Sequence, residues 1–295
     1  MKRFTESEEN MNTQEMVGTV SSGSLIAMVI TFFVATILPV LVLVVYAVKN
    51  KKQGLVGAWF LGAAGFFVPQ ILIRIPILSM LQTSEKFLAF AENYYVVYVL
   101  SLAFTAGLFE TLGRYGVAKI LKKNGAYKKA IAAGLGHGGI EAIILIGMGY
   151  ISNLVMALMI NNGTIEVMIK EMENSGADAS TLYAAVGALV NTATYEFLLA
   201  GVERIFTMII HTVMSVMVCY FVWNNKTKLG VLYCIAFHTL LDGVGVILIS
   251  LSTPYFNSVL SRNACYVLEY IFLGMVTVVS VFMLRYFIKK WKQEG

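Results

Sequence analysis

The sequence predicts an all-α, polytopic membrane protein: a helix bundle with seven transmembrane helices, eight at most, and one re-entrant or interfacial helix. Three observations carry this. Of the 295 residues, 58% are hydrophobic and only 13% charged, and the mean hydropathy is +0.75. A soluble domain needs more polar surface than that. The apolar residues gather in runs of about 20, the length that crosses a hydrocarbon core of roughly 30 Å. Short basic clusters punctuate those runs.

The first stretch, "MKRFTESEENMNTQEM", is polar and acidic. It lacks the basic and short apolar regions of a cleaved signal peptide, so the apolar run at 24–48 reads as a retained span. Further spans follow at 54–81, 94–118, 129–152, 201–223, 229–251 and 264–288. They form one integral membrane domain over 1–295. The three cysteines, Cys219, Cys234 and Cys265, fall in apolar stretches without a CxxC, which reads as packing rather than a disulfide framework or a redox site.

The net charge of +5 resides in "KNKK" (49–52), "KILKKNGAYKK" (119–129), "NNKTK" (224–228) and "KKWK" (289–292). Nucleic-acid binding would call for one contiguous basic face, so no nucleic-acid partner is expected. Clusters beside spans instead follow the positive-inside rule. The opposite loops hold Lys86, Lys170 and Arg262 among several acids, including Glu85, Glu92, Glu171 and Asp178. The bias predicts a multi-pass protein of a bacterial-type cell membrane, with its N-terminus outside and its C-terminus in the cytoplasm.

"STLYAAVGALVNTATYEFLL" (180–199) is apolar enough to cross, yet an extra crossing would split the basic clusters between the two sides. It reads as the re-entrant or interfacial helix, and the eight-span arrangement stays open. Arg74, in "ILIRIPIL", is expected to snorkel to the outer interface.

Charged groups near the bilayer centre cost about 2.5–3.5 kcal/mol each on insertion scales, so those present ask for a reason. "FETLGR" places Glu110 and Arg114 at i and i+4, on one helix face. "GLGHGGIEAI" does the same with His137 and Glu141, and "AFHTLLDG" with His238 and Asp242. In "GVERIFTMIIHT", Arg204 and His211 lie seven apart, again on one face. Counted from the flanking lysines at about 1.5 Å per residue, Glu110, Glu141, His211 and His238 all lie roughly 13–23 Å from the basic rim. Taken singly, each pair reads as a salt bridge or hydrogen bond that makes its own helix insertable. A common depth on four helices points instead to one polar site.

Carboxylates and imidazoles in a protein-lined cavity can activate water, and the same side chains can ligate a metal. HExxH and GxSxG are both absent, so a glutamate base or a metal-activated water fits better than a serine nucleophile. A proton-coupled transporter would use similar residues, although paired broken helices in two repeats are not evident. A non-catalytic scaffold that binds transmembrane helices is the third reading.

The ordered motifs over roughly 94–250 resemble the YhfC family of bacterial intramembrane peptidases, within the wider group of CAAX-type proteases, PrsW and a gamma-secretase scaffold subunit. The group's EExxxR matches "FETLGR", with Phe109 in place of the first glutamate. Its second motif, phenylalanine and then His or Glu four residues on, matches "HGGIE", with His137 in place of the phenylalanine. Arg204 with His211 matches the basic residue followed by histidine, and "HTLLD" matches HxxxN or HxxxD.

The resemblance implies hydrolysis of a peptide bond in or near the membrane, with membrane lipid and a peptide or membrane-protein substrate as partners. It implies catalytic roles for Glu110, Arg114, Glu141, His211, His238 and Asp242. Glu110 is the general base, tuned by Arg114. Glu141 and His211 position the water, and His238, held by Asp242, binds the oxyanion or a metal. The abundance of imidazole leaves room for a divalent metal such as zinc, with His137, Glu141, His211 and His238 as candidate ligands.

Overall fold

A computed structural model describes residues 18–50, 54–121 and 126–294 of the chain. Lys51, Lys52, Lys122 and Lys123 of the basic clusters, and the N-terminal stretch expected to lack a signal peptide, lie outside the described residues. The regular structure there is helical, without strands. Ten helices and one short 3-10 turn (Pro254–Phe256) make it up, the helices in order being α1 (Ser22–Lys49), α2 (Leu55–Leu81), α3 (Glu85–Asn93), α4 (Tyr95–Leu121), α5 (Tyr127–Asn161), α6 (Thr164–Asn174), α7 (Ser180–Val190), α8 (Thr194–Trp223), α9 (Thr227–Ser250) and α10 (Arg262–Glu294). Among the described residues, seven are long and apolar enough to cross a membrane: α1, α2, α4, α5, α8, α9 and α10. They coincide with the seven predicted spans.

The apolar segment 180–199 is not one helix. α7 stops at Val190, residues 191–193 form a turn, and Thr194 already belongs to α8. Thr192 Oγ1 turns back to the Ala188 carbonyl at 2.6 Å, a local bond that competes with helix continuation. An 11-residue α7 spans about 16 Å, half of the hydrocarbon core. It is therefore too short to cross by itself. Helices α3 and α6 fall in stretches that sequence alone treats as loops.

Two spans carry π-helical turns. In α2 the turn covers Phe67–Arg74 and contains Pro69, which has no N–H to give to the ladder. In α5 it covers Ala142–Gly147 and begins one residue after Glu141. Such turns are frequent at functional sites.

The chain divides into two compact units. The first comprises the described residues up to Leu38 together with Ile143–Arg204. Its core packs Met28, Ile160, Ile165, Val186 and Phe197. The Asn161 side-chain amide pairs with the Val20 backbone, accepting from its N–H at 2.8 Å and donating to its carbonyl at 2.9 Å. The Phe197 carbonyl accepts from both Thr31 Oγ1 (2.6 Å) and Tyr150 Oη (3.0 Å).

The second unit comprises the described residues of Pro39–Ala142 and Ile205–Gly295. Its helices approach through glycine. A Cβ on Gly62 of α2 would overlap the Ala133 backbone of α5, and one on Gly136 would overlap the Trp59 backbone of α2. Gly134 and Gly138 face Thr212 and Met208 of α8, and Gly107 of α4 faces the Ile235 carbonyl of α9. Lipid tails are as apolar as leucine, so close backbone contact of this kind supplies much of the packing energy in a membrane.

Arg74 corrects an expectation. It does not snorkel but is buried, donating to the Leu102 carbonyl (2.7 Å) and Thr105 Oγ1 (3.2 Å) of α4. The π turn ends at Arg74 and aims it at the neighbouring helix, where hydrogen bonds replace the water it would otherwise seek.

Candidate active site

The glycines explain how the cluster forms. "GLGHGG" alternates its contacts, Gly134 and Gly138 toward α8 and Gly136 toward α2, so α5 is clasped on both sides of His137. His137 is 1% exposed and meets the edge of Phe66. Gly107 lies one turn before Glu110, and a side chain there would crowd His238 Cβ. Its absence lets α9 bring His238 against Glu110.

Glu110 Oε2 is the hub. It receives His238 Nε2 at 2.9 Å, His137 Nε2 at 3.0 Å and Arg114 Nη2 at 3.3 Å. Among the described residues none of these bonds uses Glu110 Oε1. Four helices thus converge on one carboxylate: α4 with Glu110 and Arg114, α5 with His137 and Glu141, α8 with His211, and α9 with His238 and Asp242.

His211 links the two ends of the cluster. Arg114 Nη2 lies 2.5 Å from Nδ1, and Nε2 lies 3.1 Å from Glu141 Oε2. A guanidinium only donates, so Nδ1 accepts and the ring proton sits on Nε2, facing Glu141. His238 is held from behind by Asp242, Oδ2 to Nδ1 at 3.2 Å. Glu110, Arg114, His137, Glu141, His211 and His238 are all buried, while Asp242 stands at the edge with its side chain 35% exposed.

The structure thus brings together all seven residues singled out as catalytic or metal-binding. Arg204, expected to share a face with His211, forms an ion pair with Glu203 in the first unit. His137 is more central than its place in the motif suggests, since its Nε2 reaches across to Glu110 on another helix. The signal that could have found it is the glycine on every second residue around it.

The donor set suits a divalent cation. Ligand atoms of Glu110, His137, Glu141 and His211 all lie within 4.8 Å of one another. Both ring nitrogens of His238 face carboxylates, which only accept, so that ring carries two protons and a positive charge. Three carboxylates (Glu110, Glu141, Asp242) then stand against two cations, Arg114 and His238, and one positive charge is wanting. Two imidazoles and a carboxylate, His137, His211 and Glu141, are the ligand types of a catalytic zinc site with one position open. His211 could offer Nε2 only with its proton moved to Nδ1, which requires Arg114 to withdraw. Among the described residues Arg114 Nε and Nη1 make no hydrogen bond, and the residue borders a small cavity shared with Ser215 and Cys219.

The chain matches the family described as YhfC intramembrane metalloprotease over residues 34–253. It is 31% identical over 228 residues to a Bacillus subtilis (strain 168) protein described as "Uncharacterized membrane protein YhfC", an overlap that takes in 76% of this chain and 84% of that one. No solved structure matches it. With three-quarters of its length aligned to such a relative and the family's span running from α1 to just beyond α9, the chain belongs to the YhfC intramembrane metalloprotease family and is a membrane protein.

Proposed function

We propose that the chain hydrolyses a peptide bond in or near the membrane, with a divalent metal such as zinc held by His137, Glu141 and His211. The observation that carries this reading is the buried cluster centred on Glu110, with its excess of carboxylate and its His and Glu donors within 4.8 Å. A divalent ion in such a site supplies Lewis acidity and makes water acidic enough to react near neutral pH.

The chain's own groups do the rest. Glu110 Oε1 takes the proton of water as its oxygen attacks the carbonyl carbon. His238 Nε2, oriented by Asp242, donates to the developing oxyanion. The carbon–nitrogen bond then breaks, and Glu110 returns the proton to the leaving amine. Arg114 keeps Glu110 paired in the interval and fixes the ring of His211. Burial of the cluster excludes bulk water, so these donors act in a low dielectric. Within the single domain of 1–295, helices in 94–250 form the peptidase core, and α2 supports them through Trp59, Gly62 and Phe66.

The substrate is a peptide or membrane protein presented from the lipid. The basic clusters support an N-terminus outside a bacterial-type cell membrane and a C-terminus in the cytoplasm, by the positive-inside rule. Reporter fusions at both ends test that orientation; a cytoplasmic N-terminus would contradict it. For the reaction, membranes carrying wild type and Glu110→Gln are compared by peptidomics, and the purified protein is analysed for metal. The reading requires fragments lost in the variant and about one divalent ion per chain. Identical fragments in both, from a metal-free protein, would sink it.

A further inference from the structure

At the α8–α9 turn the second unit carries a groove that the hydrolytic cluster does not use. It measures about 450 Å³ and lies among α8, α9 and α10. Its walls are aromatic and thioether side chains, including Phe221, Phe237, Met283 and Phe287, and Lys226 and Lys290 stand in its lining. Tyr233 and Tyr286, also in the lining, are 50% and 55% exposed. The groove is therefore open at the surface of the second unit.

The lysines are placed by the fold. α8 ends in a Schellman turn. Asn225 takes φ 57°, its N–H donates to the Val222 carbonyl (3.3 Å), and the Lys226 N–H donates to the Phe221 carbonyl (2.8 Å). That bond ties Lys226 to Phe221, so one turn sets both the cationic and the aromatic wall. Gly230 lets α9 close against the Phe221 ring. Lys290 comes from the last turns of α10. Among the described residues neither lysine is in an ion pair, although both line the same groove.

We propose that this groove is a binding site for one anionic phospholipid, its phosphate between Lys226 and Lys290 and an acyl chain along the aromatic wall. Two uncompensated ammonium groups over an apolar cleft match a headgroup with net negative charge, which a zwitterionic lipid lacks. Both lysines belong to clusters that the charge bias assigns to the cytoplasmic side, where anionic headgroups attract basic residues near the surface. The inference is independent of the hydrolytic reading and stands or falls apart from it.

The full chain in detergent is titrated with phosphatidylglycerol and with phosphatidylcholine, and bound lipid is read by native mass spectrometry. One tightly retained phosphatidylglycerol per chain is expected. Each of Lys226→Gln and Lys290→Gln should weaken it roughly fivefold, and the pair about 30-fold. Lys228→Gln, outside the groove, leaves retention unchanged. Trp291, whose ring lies 5.7 Å from that of Tyr220 in the groove wall, gives a second readout in the unaltered chain. Brominated phosphatidylglycerol should quench tryptophan emission at lower concentration than brominated phosphatidylcholine. Equal retention and quenching by the two lipids, or an undiminished preference in the double variant, overturns the proposal.

Discussion

Arg114 Nη2 meets His211 Nδ1 at 2.5 Å, while the opposite nitrogen of the same ring faces Glu141 at 3.1 Å. One guanidinium thus fixes which face of the imidazole carries the proton, and a residue of α4 governs the link between α8 and α5. The metal-free protein should hold His211 with its proton on Nε2. Adding zinc should move that proton to Nδ1 as Nε2 is given to the ion. Nitrogen-15 spectra of histidine-labelled protein distinguish the two tautomers, and an unchanged tautomer on zinc loading would remove His211 from the ligand set.

The same contact bears on stability. Arg114→Met leaves Glu110 with a buried charge and no guanidinium, and should cost about 3–5 kcal/mol. Glu110→Gln with Arg114→Met removes both charges and should recover part of that loss. Thermal unfolding in detergent measures both, and additive losses would show that the pair is not coupled.

The Asp242 carboxylate lies 3.2 Å from His238 Nδ1, and the proposed reaction has it act through that ring. Asp242→Asn should lower turnover by about 10–100-fold, the usual effect of a change behind a reacting imidazole. Folding should be spared because the carboxylate is partly exposed. Peptide-cleavage rates with a parallel unfolding curve check this, and full activity would leave Asp242 without a role.

Close packing makes its own prediction. Gly136→Ala and Gly62→Ala put a methyl group into backbone of the facing helix and should destabilise by more than the roughly 1–3 kcal/mol of ordinary overpacking. Gly149→Ala and Gly116→Ala meet open space and should be tolerated. The yield and melting temperature of the folded protein separate the two classes.

Outside the spans, the Asp178 carboxyl lies below the usual aspartate range, because the backbone N–H and then the hydroxyl of Ser180 donate to it at the start of α7. A depressed folded pKa contributes stability above the ordinary value of about 4. That contribution fades as pH falls through the folded value. The protection factors of the α7 amides, with the intrinsic pH dependence of exchange divided out, should therefore fall at low pH, and in Asp178→Ala they should be low already at pH 7.

Hydropathy was enough to locate the crossings, because the cost of exposing backbone in lipid demands whole helices there. The i, i+4 pairs were equally legible: Glu110–Arg114 and His238–Asp242 meet as helix geometry requires. Contacts between helices were not legible. Arg74 reads as an interfacial arginine until α4 supplies the Leu102 carbonyl, and His137 reads as the companion of Glu141 until its Nε2 is seen on Glu110. Such contacts depend on helix rotation, which the π turns at Phe67–Arg74 and Ala142–Gly147 shift and no apolar count reveals. The split at 191–193 escaped for a similar reason: the segment is apolar throughout, and only local bonding by Thr192 marks the break.

The central claim is that the cluster around Glu110 hydrolyses peptide bonds, and isotope uptake tests it directly. Membranes containing wild type or Glu110→Gln are incubated in oxygen-18 water, and the new peptide termini are read by mass spectrometry. The account predicts fragments whose new C-terminal carboxylate carries one oxygen-18 in wild type and none of these fragments in the variant. The same labelled fragments from both would contradict it.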